Sequence, residues 1–193
     1  GNIDFTGVVG GAARLGALSI TDANDVTAAA ITAASLAQAD GGGTTTFNGA
    51  IDTDGAAGVD VTANAIALNN TINTAGGGTV DLNADGAALT IAAAGDITSD
   101  GAVNLTGNTG ISTAGDVTTT ADNVDYNSAT TLTGNVVVDS DGGNTTFAST
   151  VDGAFDLGVD GGAAGNIVFT GAVGGVARLG ALSITDANDV TAA

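Results

Sequence analysis

The sequence contains no cysteine, histidine, lysine, glutamate, proline, methionine or tryptophan. Without cysteine the fold uses no disulfide, which suits a protein that crosses a secretion apparatus and works outside the cell. Missing histidine, cysteine and lysine leave catalysis few groups beyond carboxylates. With no proline and no strict three-residue glycine period, the 32 glycines signal frequent turns and tight stacking, not collagen. Five Phe and one Tyr are too few large side chains for an ordinary compact core in 193 residues, so the core must be narrow. The only cations are Arg14 and Arg178, set against 21 acidic residues that are all Asp, for a net charge of −19. Such a surface repels phosphate backbones and anionic lipid, which excludes nucleic acid as a partner. No apolar run approaches the roughly 18 residues of a spanning helix, so direct membrane insertion is not expected. Exclusive use of Asp is a turn signal, because its short carboxylate bonds nearby backbone N–H groups. Disorder is excluded by 44% apolar content together with alternating β-branched residues.

What is present is repetition. The segment 1–29 returns as 165–193, changed only at Asp4/Val168, Val8/Ala172 and Ala12/Val176, so that Gly1 corresponds to Gly165. The chain therefore reads as one tandem unit, 1–164, followed by the start of the next, 165–193. Along the chain, alternating triplets begin at Val59, Val80, Val103, Val124, Thr145 and, just inside the second copy, Ile167, a nearly constant interval. A second series runs through Ile66, Leu89, Ile111 and Leu132, and a third through Ile72, Ile97, Val117 and Val138. Three short strands per turn of about 20–22 residues is the arithmetic of an all-β parallel β-solenoid. The step from Gly1 to Gly165 then holds close to eight turns, and the chain about nine. The larger alternating residues should point inward: Phe5, Leu18, Ile20, Val61, Leu68, Leu82, Ile91, Leu105, Tyr126, Leu132, Phe147, Phe169, Leu182 and Ile184.

Two stretches admit other readings. From Ala28 to Ala39 the Ala, Leu and Gln content favours a helix, yet Ile31-Thr32-Ala33 and Ser35-Leu36-Ala37 also read as strands. Thr44 to Phe47 come out of phase with the Val59 series and open a different face. Asp-Gly pairs at Asp40, Asp54, Asp85, Asp100, Asp141, Asp152 and Asp160 supply positive φ at sharp corners. Such pairs also signal hairpins, but hairpins do not predict triplets that recur at a nearly constant interval along the chain.

Candidate sites are sparse. Asp52/Asp54 and Asp139/Asp141 are carboxylate pairs of the kind that acid–base catalysis on polysaccharides uses, but pairs are expected by chance among 21 Asp, so no catalytic residue is assigned. Gly41–Gly43 and Gly76–Gly78 lack the Lys-Ser/Thr of a phosphate loop. Calcium would favour the corner oxygens, and the best-spaced group is Asp22, Asn24 and Asp25 with its copy Asp186, Asn188 and Asp189; solvated Asx turns are the simpler reading, and no metal or cofactor is assigned. Asn69, Asn104 and Asn144 match the N-x-Ser/Thr pattern. Ice binding is the alternative function: Thr44–Thr46, Thr118–Thr120, Thr130/Thr131 and Thr145/Thr146 would have to place outward Thr in register on at least four successive turns. Arg14 and Arg178 should each face carboxylates of their own or a neighbouring turn.

The phrases GNIDFTGVVGG, LGALSITDANDVT, ITAASLAQ and AGDITSDGAVNLTG resemble the strand repeats of very large bacterial surface exoproteins, of the filamentous-haemagglutinin-like and autotransporter-like kind. The resemblance covers nearly the whole chain. It implies a right-handed parallel β-helix and a structural role as stalk, adhesin segment or extracellular filament at the bacterial surface. The tandem repeat itself makes adjacent units of the same chain the expected partners, and the open β edges at the ends of such a column point to end-to-end or lateral self-association.

Overall fold

The computed structural model describes residues 1–193 as a three-sided parallel β-solenoid with no helix. One turn shows how the sequence builds it. Val59–Ala63 forms one side (face C), Asn64 makes a corner, Ala65–Leu68 forms face A, and Ile72–Thr74 forms face B before Val80–Ala84 returns to face C. Val80 lies on Val59, Asp81 on Asp60 and Leu82 on Val61. Alternation sends Val59, Val61 and Ala63 into the core and Asp60 to solvent. Each apolar residue meets its counterpart one turn away, so the core is a column of aligned stacks.

The pairings are parallel throughout, which removes the hairpin reading. The triplet series beginning at Val59 is face C, and the series Ile72, Ile97, Val117, Val138 is face B. The second series is face A with one slip: Ile111 pairs with Thr130, while Leu132 pairs with Thr113. Thr44–Phe47 also lies on face A, away from the Val59 series, as its phase requires. Ala28 to Ala39 contains no helix; Ile31–Gln38 is an eight-residue strand. It runs through a corner without breaking, its start pairing with Ile51–Thr53 on face B and its end with Val59–Val61 on face C. The two faces are thereby fused into one 16-stranded sheet beside the 8-stranded sheet of face A.

Turn length is not constant: the circuit from Leu15 to Ala33 is short, and that from Ile72 to Ile97 is long. The variation decides where the second copy falls. Ile3–Phe5 lies on face A, but its copy Ile167–Phe169 lies on face C. Likewise Val9 pairs on face B and Val173 on face A, while Leu18 lies on face C and Leu182 on face B. The step from one copy to the next is therefore seven and two-thirds turns, not eight. The second copy keeps strands at the positions equivalent to Ile3–Phe5, Leu18–Ile20 and Val26–Ala28 while moving to the next side of the column, though Leu15–Ala17 has no strand counterpart.

Of the expected inward residues, most are buried, and Phe5 and Leu18 are partly buried against the core. Leu182 and Ile184 are corrections: they hold the inward register on Leu157 and Val159 but remain 43% and 36% exposed, because the last turn has nothing above it. The Asp-Gly glycines also need correcting. Gly142 and Gly153 have positive φ, whereas a Cβ on Gly55 or Gly101 would come within 2.7 Å of Ala34 O or 2.8 Å of Gly77 O. At those corners glycine serves the close approach of successive turns, not an unusual φ.

Face C carries an aromatic stack inside the column. Tyr126 and Phe147 lie 4.7 Å apart between ring centroids, and Phe147 and Phe169 5.1 Å. The Tyr126 hydroxyl is buried without a partner, and burial, followed by the charge of Asp116, pushes it well above the ordinary phenol range. An unsatisfied hydroxyl costs roughly 1–3 kcal/mol. Tyr126→Phe is therefore expected to stabilise the fold by about 1 kcal/mol, seen as a higher midpoint in urea unfolding; a lower midpoint would show that the hydroxyl is satisfied.

Candidate functional site

Outward residues of successive face C strands, the triplet centres Asp60, Asp81 and Asn104 among them, line an open polar groove of about 440 Å³. Asp60, Asp81 and Asn104 form one ladder and Thr62, Asn83 and Thr106 the next, with Asn127 at the end. No hydrophobic residue lines it. Its chemistry is that of oxygen acceptors with amide and hydroxyl donors, without a cation or an aromatic platform. The triplet spacing already carried part of this signal, since the centres of three successive triplets are Asp60, Asp81 and Asn104. Sequence reading followed the flanking apolar residues and passed over them.

Asp81 is held above the ordinary carboxylate range, first by partial burial and then by Asp60 beside it. A carboxyl raised in the folded state favours its protonated form, so its charge at neutral pH opposes folding. Stability from this group rises as pH falls through the interval just above the ordinary value of 3.8. Asp100 behaves oppositely: the Gly77 N–H at 2.8 Å and the Thr120 hydroxyl at 2.9 Å hold it below that value. Its contribution is present above the ordinary carboxylate pKa and is lost on acidification. Asp81→Asn is expected to raise the melting temperature at pH 7, through a gain in stability of less than about 1 kcal/mol after solvent screening. That gain should fade below about pH 4. Asp100→Asn should instead lower the melting temperature at neutral pH, and its loss should also fade on acidification. Thermal scans of both variants from about pH 3 to 8 check the signs, and shifts of the same sign would contradict the assignment.

Elsewhere the Asp and Asn side chains tie turn to turn. Asp96 Oδ1 accepts from the Asp116 N–H, Asp116 Oδ1 from the Val137 N–H, and Asp152 Oδ1 from the Val176 N–H. Asn123 and Asn144 accept from the backbone of Asn144 and Asn166 in the same way. A short side chain makes these bonds with little rotamer freedom to lose, which favours Asp over Glu at such corners. Of the expected calcium group, Asn24 and Asp25 stay together, Asn24 Nδ2 donating to Asp25 Oδ2 at 3.0 Å and to Asn2 Oδ1 at 3.2 Å, while Asp25 Oδ1 accepts from the Thr44 N–H. No three carboxylates converge anywhere in the chain. Asp52 and Asp54 come together on Arg14: Nη2 is 2.9 Å from Asp52 Oδ2 and Nε 3.0 Å from Asp54 Oδ2. Nη1 also donates to the Ala33 and Asp52 carbonyls, so one side chain spans three turns. Arg178 was expected to match it, but forms no ion pair. Asp139 Oδ1 accepts from the Asp141 N–H, a local turn rather than a pair aimed at a substrate.

Sequence reading also missed a buried polar seam. Thr74 and Ser99 hydroxyls lie 3.1 Å apart and both donate to Gly78 O, while Ser140 donates to Gly143 O. Gln38 and Thr45 exchange hydrogen bonds inside the column. These groups satisfy corner carbonyls that a purely apolar core would leave unpaired.

The ice-binding condition is not met. The longest outward hydroxyl run with a Thr ladder is Thr90, Ser112 and Thr131 on face A, bounded by Ala67 and Asp152. On face B, Thr98 and Thr118 are followed by Asp139. No protein-family model, curated protein or solved structure matches the chain.

Proposed function

We propose that the chain is a structural repeat segment of a very large secreted or cell-surface protein, acting as a stalk, adhesin segment or extracellular filament without catalysis of its own. One observation carries this reading: the strand register is unbroken from Ile3 to Ala192, and its last turn repeats the sequence of its first. A column of this kind gains length with every added unit, since each turn needs only its neighbours. The adjacent unit of the same chain is its partner. The −19 charge keeps neighbouring columns apart at low ionic strength. The resemblance of ITAASLAQ and AGDITSDGAVNLTG to giant bacterial exoprotein repeats supports the bacterial surface as its place. Electron microscopy of native cells with an antibody to the unit tests this. Labelled surface fibres are expected; label confined to the cell interior would defeat the reading.

A further inference from the structure

The two near-identical copies give the same surface twice, once covered and once open. Residues 13–29 and 177–193 are identical in sequence. In the first copy Ile31 pairs with Val9, Leu36 with Leu18 and Thr45 with Val26. Arg14 then reaches over this layer to Asp52 and Asp54. Under that cover Ile20 and Val26 are 5% and 1% exposed, whereas their counterparts Ile184 and Val190 are 36% and 44% exposed. Arg178 forms no ion pair. At Ile20 and Val26 the cover, residues 30–54, is what closes over the side chain in the first copy and is lacking over the second.

We propose that the turn formed by Val173, Leu182–Ile184 and Asp189–Ala192 is a docking surface for a further copy of residues 30–54 following Ala193, which is the joint between one unit and the next. The proposal rests on the tandem-array reading above and specifies its contacts. By the pairing already seen in the first copy, the new Ile31 lies on Val173, the new Leu36 on Leu182 and the new Thr45 on Val190, and Arg178 clamps the new Asp52 and Asp54. Because the step between copies is seven and two-thirds turns, each unit also moves its surface by one face. The polar groove of face C then recurs on face B of the next unit and face A of the third. After three units it returns to its starting side, a whole number of turns along the column. An array so built presents one groove per unit in a spiral around the column, not in a single file.

The experiment extends the full chain after Ala193 with a copy of residues 30–54, and in parallel with the same residues in scrambled order. Hydrogen exchange is read at Leu182–Ile184 and Asp189–Ala192. The native-order extension should slow exchange there by at least about tenfold over the scrambled one. Arg178→Gln should lower the melting temperature of the extended chain at low salt and leave the unextended chain unchanged. Equal protection by both extensions, or an equal effect of Arg178→Gln in both chains, would overturn the joint. The face shift is read by cysteine pairs. Val168→Cys should form a disulfide with Thr146→Cys, its face C neighbour, at a separation such bonds accept, and not with Asp152→Cys on face A. The reverse result would overturn the spiral. Intracellular label in the microscopy would remove the surface function and leave this joint standing; an unprotected extension would remove the joint and leave surface location standing.

Discussion

Leu105→Asp is expected to open the column locally and to cost about 4 kcal/mol or more. Leu105 is fully buried on face C between Leu82 and Tyr126. A carboxylate there has no cation within reach, because the nearest stacked side chains are a leucine and an aromatic ring. It loses its water and gains no partner, so the folded state must either protonate it or let the strand leave the column. Coupling between turns is to nearest neighbours, which confines the damage. Hydrogen exchange should show protection lost over Val80–Ala84, Val103–Gly107 and Val124–Tyr126, while Ile31–Gln38 keeps its own. Leu105→Ala, which leaves a cavity without a charge, should cost less, about 2–4 kcal/mol. If Leu105→Asp unfolded at the same urea concentration as the parent chain, the inward assignment of face C would be wrong.

Phe147→Ala is the next largest effect, about 3–5 kcal/mol. Phe147 is the middle ring of the stack, 1% exposed, and touches both Tyr126 and Phe169. Its loss removes two ring contacts and leaves a void between rings that cannot move together, since each is fixed by its own strand register. Phe169→Ala removes one contact near the open end and should cost less. Urea unfolding of the two variants gives the order directly. Equal losses would mean that the stack does not continue through Phe147.

Face C was the most legible part of the sequence. Its inward residues recur at a nearly constant interval with valine or isoleucine opening nearly every triplet, so period and side-chain direction point the same way. The Ile31–Gln38 stretch was ambiguous because alanine serves helices by propensity and solenoid cores by size. Strand was chosen by the neighbours it pairs with, Ile51–Thr53 and Val59–Val61, which are tertiary facts. The face shift between copies was hidden for a different reason. Residues 13–29 and 177–193 are identical, and their face depends on the summed length of all turns between them. Small differences in length from turn to turn accumulate to a third of a circuit. The exposure of Leu182 and Ile184 and the free Arg178 are end effects, fixed by what lies above a residue and not by the residue itself. The groove was readable in outline, from the Asp, Asp and Asn at the centres of successive triplets; that it is a concave surface follows only from stacking them.

The central claim is that this sequence forms one rigid column that grows by a constant step per unit. Small-angle X-ray scattering of chains containing one, two and three tandem units tests it most directly. With parallel strands about 4.8 Å apart, seven and two-thirds turns add about 37 Å to the maximum dimension per unit, at an unchanged cross-section. Linear growth by that step is the predicted result. A cross-section that widens with unit number, or the scattering of compact bodies on flexible linkers, would contradict it.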